Sequence, residues 1–305
     1  MDKIEQALLE QIADLHEVPQ GAYNIRANGQ TAGRNTTENI DIVTKTDKPG
    51  IDIIIKPGTK KESVHIPVLL SQTGHTEMVY NDFFVGENAD VVIVAGCGIH
   101  NGGDEESRHD GIHTFHLAAG ARLRYVEKHY GSGDGNGQRV MNPTTVMELG
   151  EGAYMEMETT QIKGVTSTIR DTRATLAAGA ILIVREKIMT HGEQLAETNF
   201  VVDLNGEDAS THLVSRSVAK DSSRQVFRSV INGNARCTAH SECDAIIMDQ
   251  ACVSAIPEVT ANHLDASLIH EAAIGKIAGE QLTKLMTLGL TEKEAEEQIV
   301  SGFLK

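Results

Sequence analysis

The stretch GARLRYVE, Gly120 to Glu127, decides the fold. Its apolar residues alternate with charged ones, so Ala121, Leu123 and Tyr125 point one way and Arg122 and Arg124 the other. That is a half-buried strand opened by a turn residue and an alanine. The same opening recurs along the chain at Asn88-Ala89, Gly152-Ala153, Gly179-Ala180, Asp208-Ala209, Asn234-Ala235 and Asp265-Ala266, each followed by a short apolar or alternating run. The alanines lie roughly 26 to 32 residues apart, a spacing typical of stacked repeats. One coil per repeat follows, with the turn residue making the corner and alanine fitting where the wall bends inward. The runs lack a 3.6-residue period, which excludes a helical solenoid. An all-β solenoid of β-helix type is the expected fold, with a β-sandwich as the alternative.

The flanks differ from this core. Ile4, Leu8 and Ile12 form one helical stripe, so a short helix is expected over Lys3 to Leu15. The Gly-, Asn- and Thr-rich stretch from Gly21 to Asn39 reads as loop or irregular edge. Helices are expected over Glu271 to Leu288 and Thr291 to Leu304, where Thr291 and Glu294 make a capping box and Gly289 a stop. The expected division is an N-terminal helix and irregular segment (1–50), a β-helix core (51–268) and a C-terminal helical segment (269–305).

Composition narrows the function. The formal net charge is −16 and no basic stripe occurs, which argues against nucleic acid as a partner. No apolar run reaches a membrane span, and the first residues lack the apolar core of a secretory signal, so a cytoplasmic protein is expected. Aromatic residues make up only 4% of the chain, as suits a core of stacked aliphatic layers. The four cysteines, Cys97, Cys237, Cys243 and Cys252, include no CxxC pair. In a reducing compartment they point to metal, sulfur chemistry or burial rather than disulfides.

Familiar catalytic patterns are missing. Gly131 to Gly137 lacks the Lys-Ser/Thr pair of a phosphate loop and reads as a flexible loop, so no nucleotide site is expected. His270-Glu271 is not followed by a second histidine at zinc-protease spacing, and no nucleophile elbow occurs. The densest set of potential ligands is Cys97, His100, His109, His113 and His116. Cys and imidazole suit zinc or iron. His109 and His113 are four apart, read here as a helical spacing, while His113 and His116 fall on opposite faces of a strand. Cys97, His100 and His113 are thus candidate metal ligands, and a metal-dependent hydrolase or lyase using them is the alternative function. Cys237 and Cys243 have the same parity and would share a face of one unbroken strand, with His240 between them.

The segment ARCTAHSECDAIIMD, followed by LIHEAAIGKIAGEQLTKLMTLGLTEKEAEEQIVSGFLK, resembles the SufB/SufD family of SUF iron–sulfur assembly scaffolds. It is most similar to the short SufB-like proteins of archaea and anaerobes. The likeness extends upstream through Thr190 to Phe200 and Val214 to Ser229 and covers residues 90–305. The resemblance implies a right-handed parallel β-helix with terminal helices. It further implies a non-catalytic scaffold for a transient iron–sulfur cluster, dimerised with itself or as a SufB/SufD-type pair. A SufC-type ABC ATPase would bind its C-terminal helices, and apo iron–sulfur proteins would be its acceptors. Cys243, within Glu242-Cys243-Asp244, takes the place of the SufB thiol in its Gln-Cys-Asp context. Glu271 and His270 match the acidic residue and histidine of the His-Glu-Ala triplet. These three would share one patch and hold the cluster. Cys97 matches a cysteine linked to incoming sulfur, across an insertion that holds Asn101 to His109, and His100 or Arg108 would activate its thiol. The extra histidines of that insertion are not part of the larger family's pattern. Thiolate with carboxylate and imidazole holds a cluster more loosely than four thiolates, which suits a donor.

Overall fold

A computed structural model describes residues 2–305. Helix α1 (Lys3–Ala13) precedes strands β1 (Ala22–Ala27), β2 (Gln30–Asn35), β3 (Ile40–Thr44) and β4 (Gly50–Ile55). The coils then run through β5 (Lys60–Leu70), β6 (Thr76–Val85), β7 (Asp90–His100), β8 (Ser107–Leu117), β9 (Arg122–Ser132), β10 (Arg139–Met141) and β11 (Thr144–Leu149). They continue through β12 (Tyr154–Lys163), β13 (Ser167–Leu176), β14 (Ile181–Thr190), β15 (Leu195–Leu204), β16 (Ala209–Ala219), β17 (Arg224–Gly233), β18 (Cys237–Ile247), β19 (Cys252–Ala261) and β20 (Ser267–Gly275). Helices α2 (Gly279–Thr287) and α3 (Glu292–Phe303) follow.

Successive strands alternate between two sheets. One has the order β2-β1-β5-β7-β9-β12-β14-β16-β18-β20, the other β19-β17-β15-β13-β10-β8-β6-β4-β3, with β11 beside β10 in the same rung. The coil-to-coil pairings are parallel; β1–β2 and β3–β4 are antiparallel. This is a parallel β-helix of about eight turns, as the repeat predicted. Asn142-Pro143 separates β10 from β11, because proline has no N–H for the ladder.

The corner reading holds through five coils. Asn88, Gly120, Gly152, Gly179 and Asp208 all have φ between 54° and 66°, the left-handed region that Gly, Asn and Asp tolerate. The alanine after each is fully buried. The next coil corrects the expectation. Ala209 pairs with Cys237, not Ala235, so Cys237 occupies the corner-alanine position. Asn234 instead belongs to a side-chain ladder with Asn205 and Asn262, linked at 2.7 Å on each side. An asparagine beside an alanine suits either turn, and the pattern alone does not separate them.

Three other expectations change. Gly21 to Asn39 contains the hairpin β1–β2, and β1 joins the sheet by pairing with β5, so this end is an ordered edge. Gly131 to Gly137 is packed rather than free: Gly135 N–H donates to Asn101 O and Gly137 N–H to Gly103 O of the preceding coil. The segment after Ser267 is strand as far as Gly275, and α2 begins only at Gly279, because pairing with β18 overrides local helix preference. The Thr291–Glu294 capping box is present. Among the described residues no helix is long and apolar enough to cross a membrane.

Helix α1 lies on the outer face of β5, β7 and β9, burying Leu8, Leu9 and Ile12. Gly96 and Gly98, on either side of Cys97, permit this contact, since a Cβ at either would stand 3.1 Å from Ile12 or Leu8.

Candidate functional site

Both family-matched regions lie on the sheet that contains β7 and β18. In β18 the inner face carries Cys237, Ala239, Ser241, Cys243 and Ala245, so the shared-face prediction for the two cysteines holds. Strand β20 pairs with β18 in the register Ser241 to His270, Glu242 to Glu271 and Cys243 to Ala272. His270 therefore continues the inner face, diagonally beside Cys243. Glu271 continues the outer face with Glu242 and lies 3.7 Å from His240 Nε2. The three residues are close, but His270 and Glu271 are consecutive on a strand and point to opposite faces. A single patch on one face is thus not what the chain forms. The three meet only at the rim, because β20 is the last strand of its sheet.

The environments of these groups differ. Burial, then the charges of Glu186 and Asp244, push the Cys243 thiol up to about 12. Burial and then His240 lower the His270 imidazole, whose two nitrogens lack a hydrogen-bond partner. On the outer face, His212 and His240 stack with ring centroids 5.1 Å apart. Cys252, in edge strand β19, is exposed.

The Cys97 region is sealed. Cys97 is inward-facing and fully buried, and burial with the charges of Glu77 and Glu127 raises its thiol well above the usual range. His100 points to the outer face, with Nδ1 3.1 Å from Ser132 Oγ. Arg108 pairs with Asp110 at 2.8 Å. Neither activates Cys97, which corrects that expectation. Cys97, His100 and His113 do not converge, because His100 has the wrong parity. His109 and His113 do share the inner face: a spacing of four is even, so on a strand it keeps one side. His116 faces outward, stacked on Phe84 with centroids 5.0 Å apart and 2.8 Å from Glu148.

Between the two cysteines runs a buried polar chain that the sequence reading missed. His113 Nδ1 is 2.8 Å from Tyr125 Oη, which donates to Glu127 at 2.9 Å. Arg170 donates to Glu127 at 2.6 Å and stands 3.8 Å from Glu186. Glu186 accepts from Thr198 at 2.9 Å and Ser215 at 2.8 Å, and Ser215 pairs in register with Cys243. Burial opposes the charge on Glu127, but Arg170 and then His129 hold its carboxyl well below the ordinary range. Burial raises Glu186, with Arg170 compensating only in part. The available signal was parity: Tyr125, Glu127 and His129 share the inner face of one strand. Among the described residues no three of His, Cys, Asp and Glu already stand at metal-ligating spacing.

Comparison with known proteins gives a consistent result. The family described as "SUF system FeS cluster assembly, SufBD core domain" matches residues 70–303. An iron–sulfur cluster assembly SufBD family protein of Methanocaldococcus jannaschii is 30% identical over 255 residues, 83% of this chain and 79% of that protein. A family protein of Methanothermobacter thermautotrophicus strain Delta H is 30% identical over 234 residues, 75% of this chain but only 55% of that protein. One from Archaeoglobus fulgidus is 29% identical over 264 residues, 85% of this chain and 69% of that protein.

Proposed function

The chain belongs to the SufBD family of iron–sulfur cluster assembly proteins, and on that premise we propose that it is a non-catalytic scaffold on which nascent clusters are built and from which they are transferred to apo acceptor proteins. The cluster is cargo, held between two copies of the chain. The observation that carries this reading is the position of Cys243, one strand from an unpaired sheet edge, with His270 on that edge strand and the same face. Glu271 supplies a carboxylate at the same rim.

One thiolate per chain cannot hold a cluster, and a two-fold axis at the rim doubles every ligand. Strands β19 and β20 end their sheets with unpaired backbone groups, and Ile256, Val259 and Ile269 on them are about half exposed. Such an edge invites pairing with another chain. A second copy is the partner in this reading, and burial of Cys243 keeps its thiol protonated until the edge opens and iron arrives.

Opening is assigned to a SufC-type ABC ATPase bound to the C-terminal helices. Helix α2 buries no residue, and Met286 and Leu288 are exposed there. Deleting residues 279–305, which removes both C-terminal helices, should abolish co-purification with that ATPase while circular dichroism still reports the β-helix; a complex that survives would contradict the assignment.

The scaffold reading is tested by anaerobic reconstitution with ferrous iron and sulfide, followed by gel filtration. Iron and acid-labile sulfide should elute together with a brown dimer. A colourless protein, or iron carried by a monomer, would contradict it.

A further inference from the structure

The histidines of the sealed N-terminal coils form a second cluster, remote from Cys243. Cys97 and His129 pair in register across β7 and β9. His109 and His113 face them from β8, with Gly111 between the two on the same side. Together with Asn81 and Glu127 these groups border an internal space of about 20 Å³, room for one water-sized particle.

The two histidines are held as ligands are held. Tyr125 directs its own proton to Glu127, so its oxygen accepts from His113 Nδ1–H and leaves a lone pair on His113 Nε2. Asn81 Nδ2, at 3.3 Å, is the donor now at that lone pair. Glu77 Oε1 stands 3.2 Å from His109 Nδ1, which favours a proton there and a lone pair on Nε2. That contact is not aligned as a hydrogen bond, and both atoms are buried without another partner. A carboxylate behind the far ring nitrogen, direct or relayed, is the usual support of a metal-binding histidine.

Gly111 leaves open the space between them. A Cβ there would lie 3.2 Å from His113 Nε2 and 3.4 Å from His109 Nε2. The three donors do not stand at metal-ligand spacing, so binding requires the side chains to move toward one another, and the space left open at Gly111 is where the two Nε2 atoms would meet the ion. One thiolate and two imidazoles suit zinc or ferrous iron with a fourth position left over.

We propose that Cys97, His109 and His113 form a buried site for one divalent transition ion of the zinc or ferrous class, loaded as the coils close around it. Coordination replaces the Cys97 S–H proton, which passes to solvent, and no electron is exchanged. The site is independent of the cluster reading, and it uses His109 where the sequence suggested His100.

The test is expression of the full chain in minimal medium containing cobalt(II), with elemental analysis and absorption spectra after gel filtration. Equimolar cobalt with a sulfur-to-cobalt charge-transfer band is expected in the wild type, Cys243→Ser and His100→Gln. Cys97→Ser should lose the band. Gly111→Ala keeps every donor but fills the space between the imidazoles, and it should lose at least tenfold of the metal. Tyr125→Phe, a second variant in case Gly111→Ala misfolds, should weaken retention about 10–100-fold. Parallel cultures with zinc or iron identify the preferred ion, and equimolar retention of either supports the site. Absence of bound metal from all three cultures would overturn the proposal. So would an unchanged charge-transfer band in Cys97→Ser, or unchanged retention in both Gly111→Ala and Tyr125→Phe.

Discussion

The two ends of the solenoid are finished differently. At the N-terminal end the hairpin β1–β2 and the antiparallel pair β3–β4 finish the sheets, and α1 covers the outer face of three strands. At the other end β19 and β20 are mostly exposed, and α2 contributes no buried residue. Cys97 sits in the finished end and Cys243 next to the unfinished one. Both are inward-facing cysteines on the same sheet, so the difference lies in what surrounds them. The finished end keeps its unpartnered polar atoms, such as Glu77 Oε1 and His109 Nδ1, buried inside the coils; the unfinished end leaves His270 without hydrogen-bond partners at the rim of the last strand.

The largest effect that sharpens this contrast is expected in the buried charge chain. Arg170→Met leaves Glu127 and Glu186 without their shared cation, and breaking such a pair costs about 3–5 kcal/mol. Denaturant unfolding should show that loss, and a change under 1 kcal/mol by the same scale would mean the network is not structural.

Thiol reactivity comes next. With a pKa of about 12, Cys243 in the cluster-free protein should alkylate about tenfold faster per pH unit from roughly 7 to 10, without a plateau. The sign follows from burial and from Glu186 and Asp244, which favour the protonated thiol. Site-resolved mass spectrometry measures this, and a plateau below about pH 10 would place Cys243 outside that field. Cys97, buried beside Glu77 and Glu127, should be slower still.

A smaller effect is expected in the asparagine ladder. Asn234→Ala removes hydrogen bonds to Asn205 and Asn262 and should cost about 0.5–1.5 kcal/mol. A neutral result would show that the ladder adds nothing beyond the backbone bonds.

The smallest change in stability is expected at the open rim. Ile269→Lys alters an outward, half-exposed position of the edge strand and should move monomer stability by no more than about 0.5 kcal/mol. It should nonetheless weaken the proposed dimer in sedimentation velocity, since a lysine on an edge opposes pairing. Loss of the fold itself would mean that the rim is already part of the core.

Much of this arrangement was legible from residue order. The corners from Ala89 to Ala209, the inward set Ala121, Leu123 and Tyr125, and the common face of Cys237 and Cys243 all follow from period-two alternation and turn chemistry. The corner at Cys237 was not legible, because Asn234-Ala235 imitates the motif while serving another ladder. The common face of His109 and His113 was in the sequence but was read with a helical period. The charge chain joins residues from different coils, such as Glu127 and Arg170, and only coil-to-coil register brings them together. The separation of His270 from Glu271 followed from parity as soon as their segment was strand rather than helix.

The central claim is that cluster assembly depends on Cys243 at the open rim. The direct measurement is iron and acid-labile sulfide per chain in Cys243→Ser after anaerobic reconstitution, beside wild type, with the oligomeric state recorded for both. The substitution is nearly isosteric at a buried position, so fold and dimer should persist while bound iron and sulfide fall to background. A Cys243→Ser dimer carrying the full wild-type complement of both would contradict the account.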